Sequence, residues 1–174
     1  MKKLAILMVL ALELAVGGCG NSAPTNVVNT TTSGNWEAQL VGGNGETSGL
    51  NFITAFSVRD SGPLDITGFS FFNQGSCFST AVNAEKETGS AVLTTSSTGA
   101  VTGSMSYAVT STTAGSVLTL TSTSVNGTSN GTVGTTGTLS NGVVAGNWAL
   151  TGASGCTGAG TFIMCQGNAT CTVP

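Results

Sequence analysis

The chain has 174 residues, of which 6% are charged and 40% hydrophobic, with 26 glycines and no histidine. Ordinary soluble domains carry roughly 25% charge; so little of it here argues against a phosphate-neutralising surface and hence against nucleic acid as a partner. The missing His removes the commonest general base and metal ligand. The apolar fraction is too high for disorder, and Thr, Val, Gly and Asn-Gly pairs in place of helix formers point to strands and turns.

The chain opens with Met1-Lys2-Lys3 and an apolar segment from Leu4 to Val16, too short to span a bilayer as a permanent helix. Glu13 interrupts that segment near its end, where the insertion cost of a charge falls below the about 2.5–3.5 kcal/mol of a central position. Val16-Gly17-Gly18-Cys19 then supplies an aliphatic residue, two small residues and a thiol. This order resembles the lipobox of bacterial lipoproteins. The resemblance implies that residues 1–18 are a signal peptide, that Cys19 carries a diacylglyceryl group, and that the new amino group is usually acylated as well. Each buried methylene contributes about 0.8 kcal/mol, so two or more chains anchor stably and make the membrane a partner through Cys19. Gly20 stands where Asp would cue inner-membrane retention in Gram-negative lipoproteins, so the expected place is the cell envelope, at the outer membrane rather than the inner. An ordinary secretory signal, with Cys19 incidental, is the alternative.

Residues 19–33 continue as GNSAPTNVVNTTTS after the Cys, without period or charge. This reads as a flexible tether spanning on the order of 20 Å, with an edge strand at Val27 and Val28 as the other reading.

From residue 34 to 174, short alternating runs are separated by Gly-rich turns. Trp36, Ala38 and Leu40 share a face, as do Phe52, Thr54, Phe56 and Val58. Leu64 and Ile66 are in phase, Phe69 and Phe71 in the opposite one, which predicts a β-bulge at Gly68. Val101, Gly103, Met105, Tyr107 and Val109 form the next face, then Leu118 and Leu120, then Val144, Gly146, Trp148 and Leu150, and last Phe162 and Met164. The expectation is an all-β antiparallel meander of about 8–10 strands, a barrel rather than a sandwich.

Ser97-Thr98-Gly99-Ala100-Val101-Thr102-Gly103-Ser104-Met105 repeats as Ser140-Asn141-Gly142-Val143-Val144-Ala145-Gly146-Asn147-Trp148, with a partial third copy at Ser129-Asn130-Gly131. The repeat predicts hairpin turns at Thr98-Gly99 and Asn141-Gly142, with Gly103 and Gly146 leaving room for a close neighbour. Gly34-Asn35-Trp36, opening a first strand, resembles lipocalins and avidins, which implies a barrel with Trp36 closing one end. The basic residue that packs on this Trp in lipocalins has no counterpart, because no Lys or Arg follows Lys86. The Thr/Gly-rich domain also resembles uncharacterised bacterial envelope lipoproteins, which imply no known activity.

Four cysteines follow Cys19: Cys77, Cys156, Cys165 and Cys171. Export into an oxidising compartment and an even count favour disulfides. Of the three pairings, Cys77–Cys156 with Cys165–Cys171 is expected, since the Gly and Asn between the last two permit a small loop. No spacing suits zinc or a Cys-x-x-Cys redox site, and no cofactor is expected.

Asp60 and Asp65 flank a Gly-Pro turn, and Glu85-Lys86-Glu87 reads as a solvated loop tip. Ser is abundant without a base to activate it, so no catalytic residue is assigned and an enzyme is not expected. The leading expectation is a membrane-anchored, non-catalytic envelope protein with a structural or protein-binding role. The alternative is a lipocalin-like module holding a small apolar ligand, with Trp36, Phe56, Met105, Tyr107 and Trp148 as the candidate pocket.

Overall fold

In the computed structural model, the described residues run from 29 to 167, apart from 33, 43–46, 80, 82, 83, 132–135 and 154. The leader, Cys19, most of the tether and Cys171 lie outside them. Ten strands and no helix are found among the described residues: β1 (Asn29–Thr32), β2 (Asn35–Gly42), β3 (Thr47–Arg59), β4 (Ser61–Pro63), β5 (Asp65–Asn73), β6 (Glu85–Thr95), β7 (Ala100–Ser111), β8 (Val117–Ser129), β9 (Thr136–Thr151) and β10 (Gly158–Gln166).

Strands β6 to β10 form an antiparallel meander, β2 lies beside β10, and β3 lies between β2 and β5. The all-β antiparallel architecture is the one the alternation predicts. The sheet curls into a half-barrel because each strand commits alternate residues to one concave face. In β7, Val101, Met105, Tyr107 and Val109 are buried while Thr102 and Ser106 are exposed. The same parity holds for Leu118 and Leu120 in β8 and for Phe162 and Met164 in β10. Gly103 and Gly146 sit where backbones approach closely: a Cβ on Gly103 would run into the Val92 carbonyl, and one on Gly146 into that of Thr121, with Phe162 3.0 Å away.

Pairing with β3 places the predicted bulge at Gly68. Ala55 is opposite Gly68 and Phe56 opposite Ile66, leaving Thr67 as the extra residue. That one-residue offset turns Ile66, Phe69 and Phe71 all toward the core.

Three readings of the sequence are corrected. Asn141-Gly142 is not a hairpin turn but a bulge inside β9, with Asn141 at φ 53°. Both devices need a residue at positive φ, so the dipeptide alone does not separate them. The Gln166 side chain serves the bulge, accepting from the Gly142 N–H at 3.1 Å and donating to the Leu139 carbonyl at 3.1 Å. The Gly-Pro segment after Asp60 is the short strand β4, clipped to β6 through Ser61 to Pro63; Pro is tolerated there because the strand is at an edge. Third, the tail of the stretch read as a spacer forms β1, which pairs antiparallel with Val58 and Arg59 of β3 and parallel with Thr136 to Thr138 of β9. It thereby bridges β3 and β9 at one end of the curl, beyond the first paired residue of β2 and the last of β10.

The Cys77–Cys156 disulfide ties the loop after β5 to the turn before β10, as expected. Cys165 is also disulfide-bonded; its expected partner, Cys171, is outside the described residues.

Candidate functional site

The five candidate pocket residues belong to the core. Trp36, Phe56, Met105, Tyr107 and Trp148 are each 7% exposed or less. Trp36 stacks on Phe56 with ring centroids 5.2 Å apart and planes inclined by 12°, at the end that β1 bridges. Trp36, Phe56 and Met105 share a residual space with Val58, Leu93 and Leu139 of only about 10 Å³, room for about one water molecule. Tyr107 lies beyond Phe56, ring to ring at 6.5 Å. Trp148 is not part of this group; its indole N–H donates to the Val41 carbonyl at 2.8 Å, against the far end of β2.

Phe52 links the aromatic series onward, 5.2 Å from Phe69, 6.0 Å from Phe71 and 5.7 Å from Tyr107. Phe71 in turn reaches Phe78 at 4.8 Å, next to the disulfide. Such pairs contribute about 0.5–1.5 kcal/mol each beyond the area they bury. An aromatic series therefore runs through the interior from Trp36 to Phe78, among aliphatic side chains. One polar group joins it: the Tyr107 hydroxyl is 2.8 Å from that of Thr54. Burial holds the Tyr107 phenol well above its ordinary range, against the lowering effect of that hydrogen bond. Trp36 Nε1 and Ser116 Oγ are buried without a partner.

Of the larger concavities among the described residues, two are lined by carboxylates. On the outer surface, Asn35, Glu37, Ile53 and Ser70 surround a depression of about 350 Å³ floored by Ala55 and Gly68. Small residues at two paired positions make the hollow, and Glu37 accepts a 3.1 Å hydrogen bond from the Gln39 amide.

The other is a cleft of about 240 Å³ between β5 and β6, lined by Ile66, Thr67, Gly68, Phe69, Glu85 and Glu87. Here Glu85-Lys86-Glu87 is not a loop tip but the start of β6. Glu85 and Glu87 share the parity of Ala91 and Leu93, which are buried, so both carboxylates sit on the inner face. That signal was present in the sequence as an unbroken odd-numbered series, masked by the charges themselves. Burial raises the Glu87 carboxyl above its ordinary value, the negative charge of Glu85 adds to this, and its own backbone N–H opposes it. Glu85 accepts a hydrogen bond from the Ser79 N–H at 3.1 Å. Inward charges on an edge that lacks a neighbouring strand also discourage indiscriminate edge-to-edge pairing.

Among the described residues no group of three or more His, Cys, Asp or Glu side chains is placed to hold a metal ion. Asp60 and Asp65 stand at the two ends of the β4 corner; the Asp60 carbonyl accepts from the Leu93 N–H at 2.6 Å, which gives this residue a structural part in fastening β4 to β6. No protein-family model matches the chain, and no curated protein or solved structure matches it significantly.

Proposed function

We propose that this chain is a lipid-anchored protein of the bacterial cell envelope whose β domain acts through its outer surface, by contact with another macromolecule, rather than as a catalyst or a carrier. The observation that supports this reading is the filled interior. Three of the five residues that would line a carrier's cavity, Trp36, Phe56 and Met105, leave about 10 Å³ between them, whereas pockets for small ligands hold roughly 300–1,000 Å³. To admit a ligand, Trp36, Phe56 or Met105 would have to leave the core, forfeiting a burial contribution of roughly 1.5–3 kcal/mol for each large side chain.

The anchor rests on the leader and on Cys19, whose order of charge, apolar run, small pair and thiol supports processing before Cys19. The outer-membrane assignment rests on Gly20. Mass spectrometry of the chain purified from native membranes tests both parts. The expected species begins at Cys19, carries two or three acyl chains and releases no stoichiometric small molecule on organic extraction. A chain that retains residues 1–18 or starts unacylated would overturn the anchor; a tightly held apolar molecule would overturn the filled-core reading.

A further inference from the structure

The lane beside β6 is only half used. Ser61, Gly62 and Pro63 of β4 pair with Val92, Ala91 and Ser90, and the Leu64 N–H continues the ladder onto the Gly89 carbonyl at 2.9 Å. At Asp65 the chain leaves this lane and becomes β5, which pairs with β3. Among the described residues, no strand takes over opposite Glu85 to Thr88 on that side, and β5 has no pairing partner besides β3. The two edges face each other across the 240 Å³ cleft.

We propose that this vacated lane is a strand-addition site for an extended segment of a partner protein with basic side chains at alternate positions. The geometry fixes the pattern. Residues of β6 that share Gly89's parity turn their backbone groups toward the lane, so Glu87 and Glu85 offer N–H and C=O groups to an incoming strand. That strand would continue the line of β4, antiparallel to β6. Leu64, opposite Gly89, points inward and is 8% exposed; the positions opposite Glu87 and Glu85 on the incoming strand point the same way. They would meet two carboxylates, that of Glu85, which has one oxygen engaged by the Ser79 N–H at 3.1 Å, and that of Glu87, disfavoured as an anion by burial.

Main-chain hydrogen bonds would give affinity and the alternate Lys or Arg side chains specificity. Lys86 lies on the opposite face of β6, exposed, and does not neutralise the pair from within. A second copy of this chain does not fit: nowhere in it do two bases stand two positions apart. The inference rests on the reading that the domain works by surface contact and adds where and with what chemistry.

The test uses the full chain in detergent micelles and three labelled peptides: alternating Thr and Lys, its isomer with the Lys residues contiguous, and the Glu analogue of the first. The alternating peptide is expected to bind saturably and to slow hydrogen exchange at the backbone amides of Glu85 and Glu87. The double variant E85Q/E87Q is expected to weaken it by about tenfold, and E85K/E87K to transfer binding to the Glu analogue. Equal binding of the contiguous isomer, unchanged exchange at those amides, or dimerisation of the chain through this edge without peptide would each overturn the proposal. None of these outcomes bears on acylation of Cys19, so the two readings fail separately.

Discussion

The hydroxyls of Thr54 on β3 and Tyr107 on β7 meet 2.8 Å apart inside the barrel, 53 residues from each other in sequence. Thr54 also donates to the Gly68 carbonyl at 3.1 Å, so the single Thr hydrogen is used there and Tyr107 is the donor to Thr54. Removing the acceptor should therefore cost more than removing the donor. Thr54→Val strands a buried phenol hydrogen and is expected to destabilise by about 1–3 kcal/mol, Tyr107→Phe by about 1 kcal/mol. Urea unfolding of both variants and the double variant checks this. The double variant should lose less than the sum of the two.

The Cys77–Cys156 bond closes a loop with a sequence separation of 79. Loop-closure entropy assigns such a bond roughly 4–5 kcal/mol. Replacing both cysteines with Ser should lower the free energy of unfolding by that order, a large share of a typical domain's roughly 5–15 kcal/mol. Denaturant midpoints of the oxidised parent and the double variant decide it; equal midpoints would refute the entropic account.

Glu87 is held above its ordinary carboxyl value chiefly by burial. A folded-state value above the unfolded one means that the folded chain binds this proton more tightly. The contribution is fully present below the unfolded value near 4.5 and is lost as pH rises through the raised folded value. Glu87→Gln should therefore raise the thermal midpoint at about pH 7 and leave it unchanged near about pH 3. Melting curves across that range read the effect; a variant less stable at neutral pH would contradict it.

Two glycines in different strands should respond unequally. A Cβ on Gly160 would meet the Val41 carbonyl and lie 2.8 Å from Trp148 Nε1, displacing the indole from its hydrogen bond. Gly160→Ala is expected to cost about 1–3 kcal/mol through overpacking and to alter Trp fluorescence. At Gly68 the added carbon would touch only the Ala55 methyl at 3.5 Å, ordinary contact, so Gly68→Ala should stay within about 0.5 kcal/mol. Chemical denaturation of the pair measures the contrast.

What the sequence made legible was parity. A period of two assigns each strand residue to one face, and burial enforces it, so Trp36 to Leu40, Val101 to Val109 and Leu118 to Leu120 could be read directly. The phase change across Gly68 was legible for the same reason. Where a local signal serves two geometries, legibility stopped. Asn-Gly suits a hairpin and a bulge alike, and only the continued pairing of β9 with β8 on both sides of Asn141 chooses between them. β4 was hidden because three residues carry too little pattern to show a strand that exists through its neighbour. Glu85 and Glu87 were hidden because charge outweighs parity unless the missing strand beside them is known. β1 owes its form to β3 and β9, distant in sequence, and its own Asn-Thr-Thr-Thr has no apolar alternation to announce it.

That first strand has a mechanical consequence. Load applied at Asn29 along the axis of β1 meets a strand bonded to β9 on one flank and to β3 on the other. Pulling in that direction shears all of its interstrand bonds together instead of unzipping them singly. The attachment should thus resist drag far better than the same few bonds would if peeled from the C-terminal side of Thr32.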